Sequence, residues 1–175
     1  MNYRKLWISL FVVMAASFTV LIYYGNDLYH KMPPIPSKVV TADGTVVFTE
    51  QEIRDGQNVW QSVGGQQMGS VWGHGAYVAP DWSADWLHRE AMWLLDHWAN
   101  QQFGKPYKEI PATDQAALRA KLQAEVRTNT YKPDTGELVV SPDRAAAIRA
   151  VADHYVQLFS DAPELKKLRE AYAIP

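Results

Sequence analysis

The chain has 175 residues, seven of them tryptophan and none cysteine, and aromatic residues make up 12% of it. Without cysteine there can be no disulfide scaffold, Cys-ligated zinc, iron–sulfur cluster, thiol nucleophile or covalently attached c-type haem. Seventeen Lys and Arg against 19 Asp and Glu give a net charge of −2. That balance supplies no broad cationic face for phosphates, so nucleic acid is not an expected partner.

Residues 1–5 form a short N-terminal stretch, and Leu6 to Gly25 follows as twenty residues without a charge. As a helix rising about 1.5 Å per residue, that run reaches about 30 Å, the thickness of the bilayer hydrocarbon. Arg4 and Lys5 precede it, and the positive-inside rule then leaves the amino terminus in the cytoplasm and the rest outside. Trp7 at one end and Tyr23, Tyr24 and Tyr29 at the other resemble interfacial anchors. A cleaved signal peptide is the rival reading. Its apolar region would be shorter and would end at an Ala-x-Ala site, which is absent here. Setting Arg4 and Lys5 apart from the 17 basic residues leaves 15 against 19 acidic ones, or −4 for the exported part.

Residues 26–38 form a proline-rich linker containing Lys31-Met-Pro-Pro-Ile-Pro36. The domain at 39–175 begins with alternating apolar residues around Asp43-Gly44, a hairpin signal. Thr49 and Glu52 have the spacing of a capping box, which predicts a helix over about 50–62. Glycines punctuate 64–75, and an irregular stretch runs to Pro80. Ser83 is the expected cap of a second helix, reaching about Gln102, with Leu87, Ala91, Leu94, Leu95 and Trp98 as its inner stripe.

A third helix is expected from Pro111 and Thr113 to about Arg127, with Leu118, Leu122 and Val126 facing inward. Pro133 to Gly136 reads as a turn. Ser141-Pro142 starts a fourth helix whose inner face would be Ala145, Ile148, Ala152, Tyr155 and Phe159. A last short helix opens at Asp161 and Pro163. The pattern is mostly α, with one small β element.

Chemistry-bearing constellations are thin. His88 and His97 are nine apart and point to opposite sides of their helix, and neither they, His74 nor Glu90 complete a zinc-type spacing. A periplasmic metalloenzyme built on these histidines is the weakest reading. No Gly-x-Ser-x-Gly elbow and no phosphate loop occur. Six tryptophans between Trp60 and Trp98 (with Trp72, Trp82, Trp86 and Trp93) fit either a core of large rings or a surface that presses on membrane or another subunit.

The stretch Gly56 to Glu90, GQNVWQSVGGQQMGSVWGHGAYVAPDWSADWLHRE, resembles the N-terminal region of quinol-dependent nitric oxide reductases. These single-chain relatives of the haem–copper oxidases share its order of transmembrane helix, Pro-rich exit, Trp/Gly-rich block and amphipathic helices. In their cytochrome-linked cousins a separate cytochrome c subunit carries Gly-x-x-x-Trp-Gln before Cys-x-x-Cys-His, with Gly-Ala-Tyr-x-Ala-Pro soon after. Here Gly56, Trp60 and Gln61 match the first part, and Gly75, Ala76, Tyr77, Ala79 and Pro80 match the last. The haem-attachment pentad then falls on Gly65-Gln66-Gln67-Met68-Gly69.

The resemblance implies a transmembrane helix followed by a small cytochrome c-like helical domain, with a short β-hairpin and without haem c. The attachment sites would be lost at Gly65, Met68 and Gly69, with Met68, Trp72 and neighbouring tryptophans filling the vacated volume. It also implies a calcium ion held with the help of Gly75 and Tyr77, other ligands coming from outside this chain; a buried, hydrogen-bonded Tyr77 is the alternative. The implied reaction is reduction of NO to N2O with electrons from quinol. Haem b, haem b3 and a non-haem iron would perform it in a multi-helix catalytic core outside these residues. The chain is expected to be the opening segment of such an enzyme, either a fragment or a separately encoded piece, in the bacterial inner membrane with its main domain periplasmic. Inactive by itself, it would anchor and cap the core through Gly73 to Trp98. The reading from another class is a free-standing, membrane-anchored periplasmic interaction module.

Overall fold

The computed structural model describes residues 3–71, 73, 80–172 and 174. Two compact units result, Met1–Ile35 and Pro36–Pro175. The first is one helix, α1 (Tyr3–Lys31), with no buried residue. Its 29 residues extend about 43 Å, and among the described residues it is the one helix long and apolar enough to cross a membrane. It runs past the expected 6–25 at both ends, because no helix breaker occurs before Pro33-Pro34. Inside it, Ser9 and Thr19 donate their hydroxyls to the carbonyls of Leu6 and Ala15, at 2.9 and 2.8 Å. Neither hydroxyl is left exposed to lipid without a partner.

The second unit joins a small sheet to helices. Strand β1 (Lys38–Thr41) turns through Asp43-Gly44 into β2 (Val46–Thr49), as the alternation predicts. Gly44 has φ of 88°, which this turn requires and a side chain would resist. Thr49 then caps α2 (Glu50–Ser62) in a complete capping box with Glu52. The short η1 turn (Gly65–Gln67) follows. Helix α3 (Trp82–Phe103) ends at Gly104, whose φ of 64° closes it in the left-handed region.

The cap of α3 is Asp81 rather than Ser83. Asp81 accepts from Ala84 N at 3.0 Å and from Gly73 N at 2.5 Å. One carboxylate thereby closes the loop and starts the helix, which a serine two residues later cannot do. The bond to Ala84, opposed by desolvation, holds the Asp81 carboxyl below the usual range.

Helix α4 (Ala112–Arg127) leads to β3 (Tyr131–Lys132) and β4 (Glu137–Val140), then to α5 (Pro142–Leu158) capped by Ser141. A 3-10 turn (Pro163–Leu165) and α6 (Lys166–Ala171) follow. The expected turn at 133–136 is thus the tip of a second hairpin, and the single β element becomes a four-stranded sheet. Its order is β2-β1-β4-β3, with β1 and β4 parallel from Lys38↔Glu137 to Thr41↔Val140.

Helices α3, α4 and α5 close over the main core of Leu94, Leu95, Trp98, Ala99, Tyr107, Ile110, Leu118 and Ala147. A smaller cluster, Val39, Val140 and Ala145, seats the start of α5 on the sheet. Three positions of the expected inner stripes turn outward: Leu87 is 47%, Val126 41% and Phe159 45% exposed. Ala99 on α3 and Ala147, Val151 and Leu158 on α5 take the interior instead. The small side chains Ala99 and Ala147 let these helices approach closely.

Candidate functional site

The region from Trp60 to Trp82 holds the motif that the sequence singled out, and it packs by ring against backbone. Gly65 and Gly69 are both buried. A Cβ built on Gly65 would overlap the Trp60 indole, lying 2.6 Å from Cε3 and closer still to Cδ2 and Cε2. One built on Gly69 would collide with Trp82 Nε1, 2.6 Å from Cδ1 and 2.7 Å from the Pro80 carbonyl oxygen. Neither position has room for a methyl group, far less for a cysteine or histidine side chain. The loop is pinned there by Ser70 N to Pro80 O at 3.0 Å and Trp82 N to Ser70 O at 2.9 Å.

Trp82, 9% exposed, is the hub of an aromatic cluster. Its ring lies 6.1 Å from Trp60 and from Tyr155, and 5.6 Å from Phe159 and Tyr172, mostly edge-on. Such contacts add about 0.5–1.5 kcal/mol per pair beyond area burial. The remaining cleft among Trp60, Trp82, Trp86, Tyr155 and Phe159 is about 180 Å³. Ordinary ligand pockets run from roughly 300 Å³ upward. Met68 is half-buried at the edge of this region, while Trp72 lies outside the described residues.

A seam of buried polar groups runs along α3 toward α5. Asp85 accepts from Arg89 Nε and Tyr155 Oη, each at 2.7 Å, and from Tyr172 Oη at 3.2 Å. Desolvation works to raise its pKa, but these bonds outweigh it and hold the carboxyl below the usual range. Burial, with the hydrogen bond to Asp85, pushes the Tyr155 phenol far above its ordinary value.

One turn on, Glu90 is 3% exposed. Arg144 Nε donates to it at 2.7 Å, and Trp86 Nε1 at 3.2 Å. Trp98 Nε1 donates to Asp143 Oδ2 at 2.7 Å, with Lys121 Nζ 3.9 Å from the Trp98 ring centre. Trp60, Trp82 and Trp98 are therefore core and scaffold on their inner sides, with Trp86 and Leu87 bordering solvent.

The residues of this unit match a known family. Residues 36–175 match the NorB cytochrome c-like domain of nitric oxide reductase. The chain belongs to that family. No curated protein matches the chain.

Within the nitric oxide reductase domain, the predicted positions divide clearly. Gly65 lies against Trp60 and Gly69 against Trp82, with half-buried Met68 between them in sequence. Gly75 and Tyr77, and His74 with them, lie outside the described residues. Among the described residues no three His, Asp or Glu side chains gather to hold a metal ion. His97 stacks on Trp93 at 4.7 Å and is 3.6 Å from Asp143, whereas His88 borders a different cleft with His154. Sequence reasoning had no signal for Asp85 or Arg144. Apart from Arg89, one turn on from Asp85, their partners lie 54 to 87 residues away.

Proposed function

We propose that this chain is the N-terminal part of a quinol-dependent nitric oxide reductase, a domain of cytochrome c shape that carries no haem c. The observation behind this reading is the closure of Gly65 and Gly69 by Trp60 and Trp82. A covalent haem needs two thiols and an axial histidine where those glycines and Met68 stand. The sequence supplies no thiol, and the indoles take the space. Haem c does not fit these residues. An electron path through the domain then has no carrier, and quinol in the bilayer becomes the donor.

The domain's role on this reading is to anchor and cap a multi-helix catalytic core containing haem b, haem b3 and non-haem iron. By itself it reduces no NO. Helix α1 sits in the bacterial inner membrane with Arg4 and Lys5 on the cytoplasmic side, so the domain is periplasmic. The side from Gly73 to Trp98 faces the core. Leu87, which the helical pattern assigns to the interior yet is 47% exposed, lies on that side. Gly75 and Tyr77 would contribute to a calcium site completed by the core.

The decisive experiment uses the complete enzyme with two donors. Quinol should sustain NO consumption, reduced cytochrome c should not, and a pyridine haemochrome spectrum should show b-type haem only. A c-type signal, or cytochrome c-driven turnover, overturns the reading. Full NO turnover after deletion of residues 36–175 would instead favour the free-standing interaction module. Replacing Tyr77 by Phe in the complete enzyme is expected to lower its calcium content; unchanged calcium would remove Tyr77 as a ligand.

A further inference from the structure

Next to the Asp85–Tyr155 contact, a cleft of about 340 Å³ lies between α3 and α5. Arg89, His88 and Asp96 line it from α3, and His154 and Val151 line it from α5. His154 Nε2 is fully shielded from solvent and has no hydrogen-bond partner among the described residues. The imidazole lies edge-on to Tyr155, with ring centres 5.5 Å apart. We propose that His154 is an acid-sensitive latch between α3 and α5, closed while the imidazole is neutral and loosened when it gains a proton.

The geometry carries this. A neutral imidazole can turn its lone pair inward at Nε2, and an unpartnered lone pair is the least costly polar atom to bury there. Protonation converts that atom into a charged N–H donor with nothing to donate to. Asp85, the carboxylate whose charge acts on the ring, already accepts from Arg89, Tyr155 and Tyr172. A proton on His154 would also be repelled by the Arg89 cation. Burial, reinforced by Arg89 and only partly offset by Asp85, accordingly holds the His154 pKa below the ordinary imidazole value. Around the ring stand Asp85, His88, Arg89 and Asp96 from α3, Tyr155 from α5, and Tyr172 from the C-terminal segment through Asp85.

The sign follows from linkage. With the folded pKa below the unfolded one, the unfolded chain binds more protons in the interval between them. The contribution is fully present above the unfolded imidazole pKa of about 6.5. It is lost as the pH falls from there through the folded value.

The test is a thermal melt of the full chain in detergent at about pH 7.5 and about pH 5.5, on either side of the ordinary imidazole pKa. The wild type should lose about 3 °C or more of its midpoint on acidification, and His154→Phe should lose less than half as much. His88→Gln should keep the wild-type loss. A ring-proton NMR titration of the wild type provides a readout that needs no variant: His154 should titrate below the ordinary imidazole value of about 6.5. An equal acid loss in His154→Phe and wild type overturns the latch, as does a His154 midpoint at or above the ordinary imidazole value of about 6.5.

Discussion

Replacing Gly69 by alanine is expected to destabilise the domain by about 3 kcal/mol, the upper end of what overpacking a close-packed core costs. The methyl group would enter the Trp82 indole and approach the Pro80 carbonyl. Backbone on one side and a ring held by four aromatic neighbours on the other leave little room to yield. Gly65→Ala should behave similarly against Trp60. The cause can be isolated by shrinking the ring: Gly69→Ala combined with Trp82→Leu should be less destabilised than the two single changes added together. A cycle of this kind separates a direct clash from general loosening, because additive effects would mean that the two positions do not touch. Chemical denaturation of the full chain in detergent supplies the four values.

The same packing predicts the fate of a restored attachment motif. Gly65→Cys, Met68→Cys and Gly69→His together recreate Cys-x-x-Cys-His in the loop. Coexpressed with a haem-ligation system, this variant should unfold rather than acquire covalent haem, because Trp60 and Trp82 hold the space that the new side chains need. A stable c-type spectrum from it would show that the domain still encloses a haem pocket.

Local chemistry reached much of this fold. The capping box at Thr49 and Glu52, the Ser141-Pro142 start and the Asp43-Gly44 turn are short-range devices, and each stands where the sequence puts it. What escaped depends on residues far apart. Leu138-Val139-Val140 is too short a run to read as a strand, and its partner Val39-Val40 lies nearly a hundred positions away. Leu87 and Phe159 fit a helical stripe, but periodicity cannot tell which face of a helix another element will cover. The glycines at 65 and 69 were legible as a motif. That Trp60 and Trp82 close over them required three dimensions, since a cycle of edge-on rings leaves no spacing rule.

Glu90 and Arg144 provide the second large effect. The Glu90 side chain is 4% exposed and that of Arg144 22%, and their 2.7 Å contact links α3 to the first turn of α5. Removing one member of such a pair strands the other in a low-dielectric site, typically at about 3–5 kcal/mol. Glu90→Ala should therefore cost about 4 kcal/mol on that scale, because it also takes the acceptor from Trp86 Nε1. Arg144→Leu should cost somewhat less, since Glu90 keeps the Trp86 bond. Replacing both by methionine is expected to return the domain close to wild-type stability, as apolar substitutes for buried pairs often do. Urea midpoints of the three variants decide the matter. If the double variant is as unstable as Glu90→Ala, the pair's own attraction, rather than the stranded charge, holds α3 to α5. If all three match the wild type, this pair contributes nothing and the other contacts of α5, such as buried Ala147 and Val151, hold it in place.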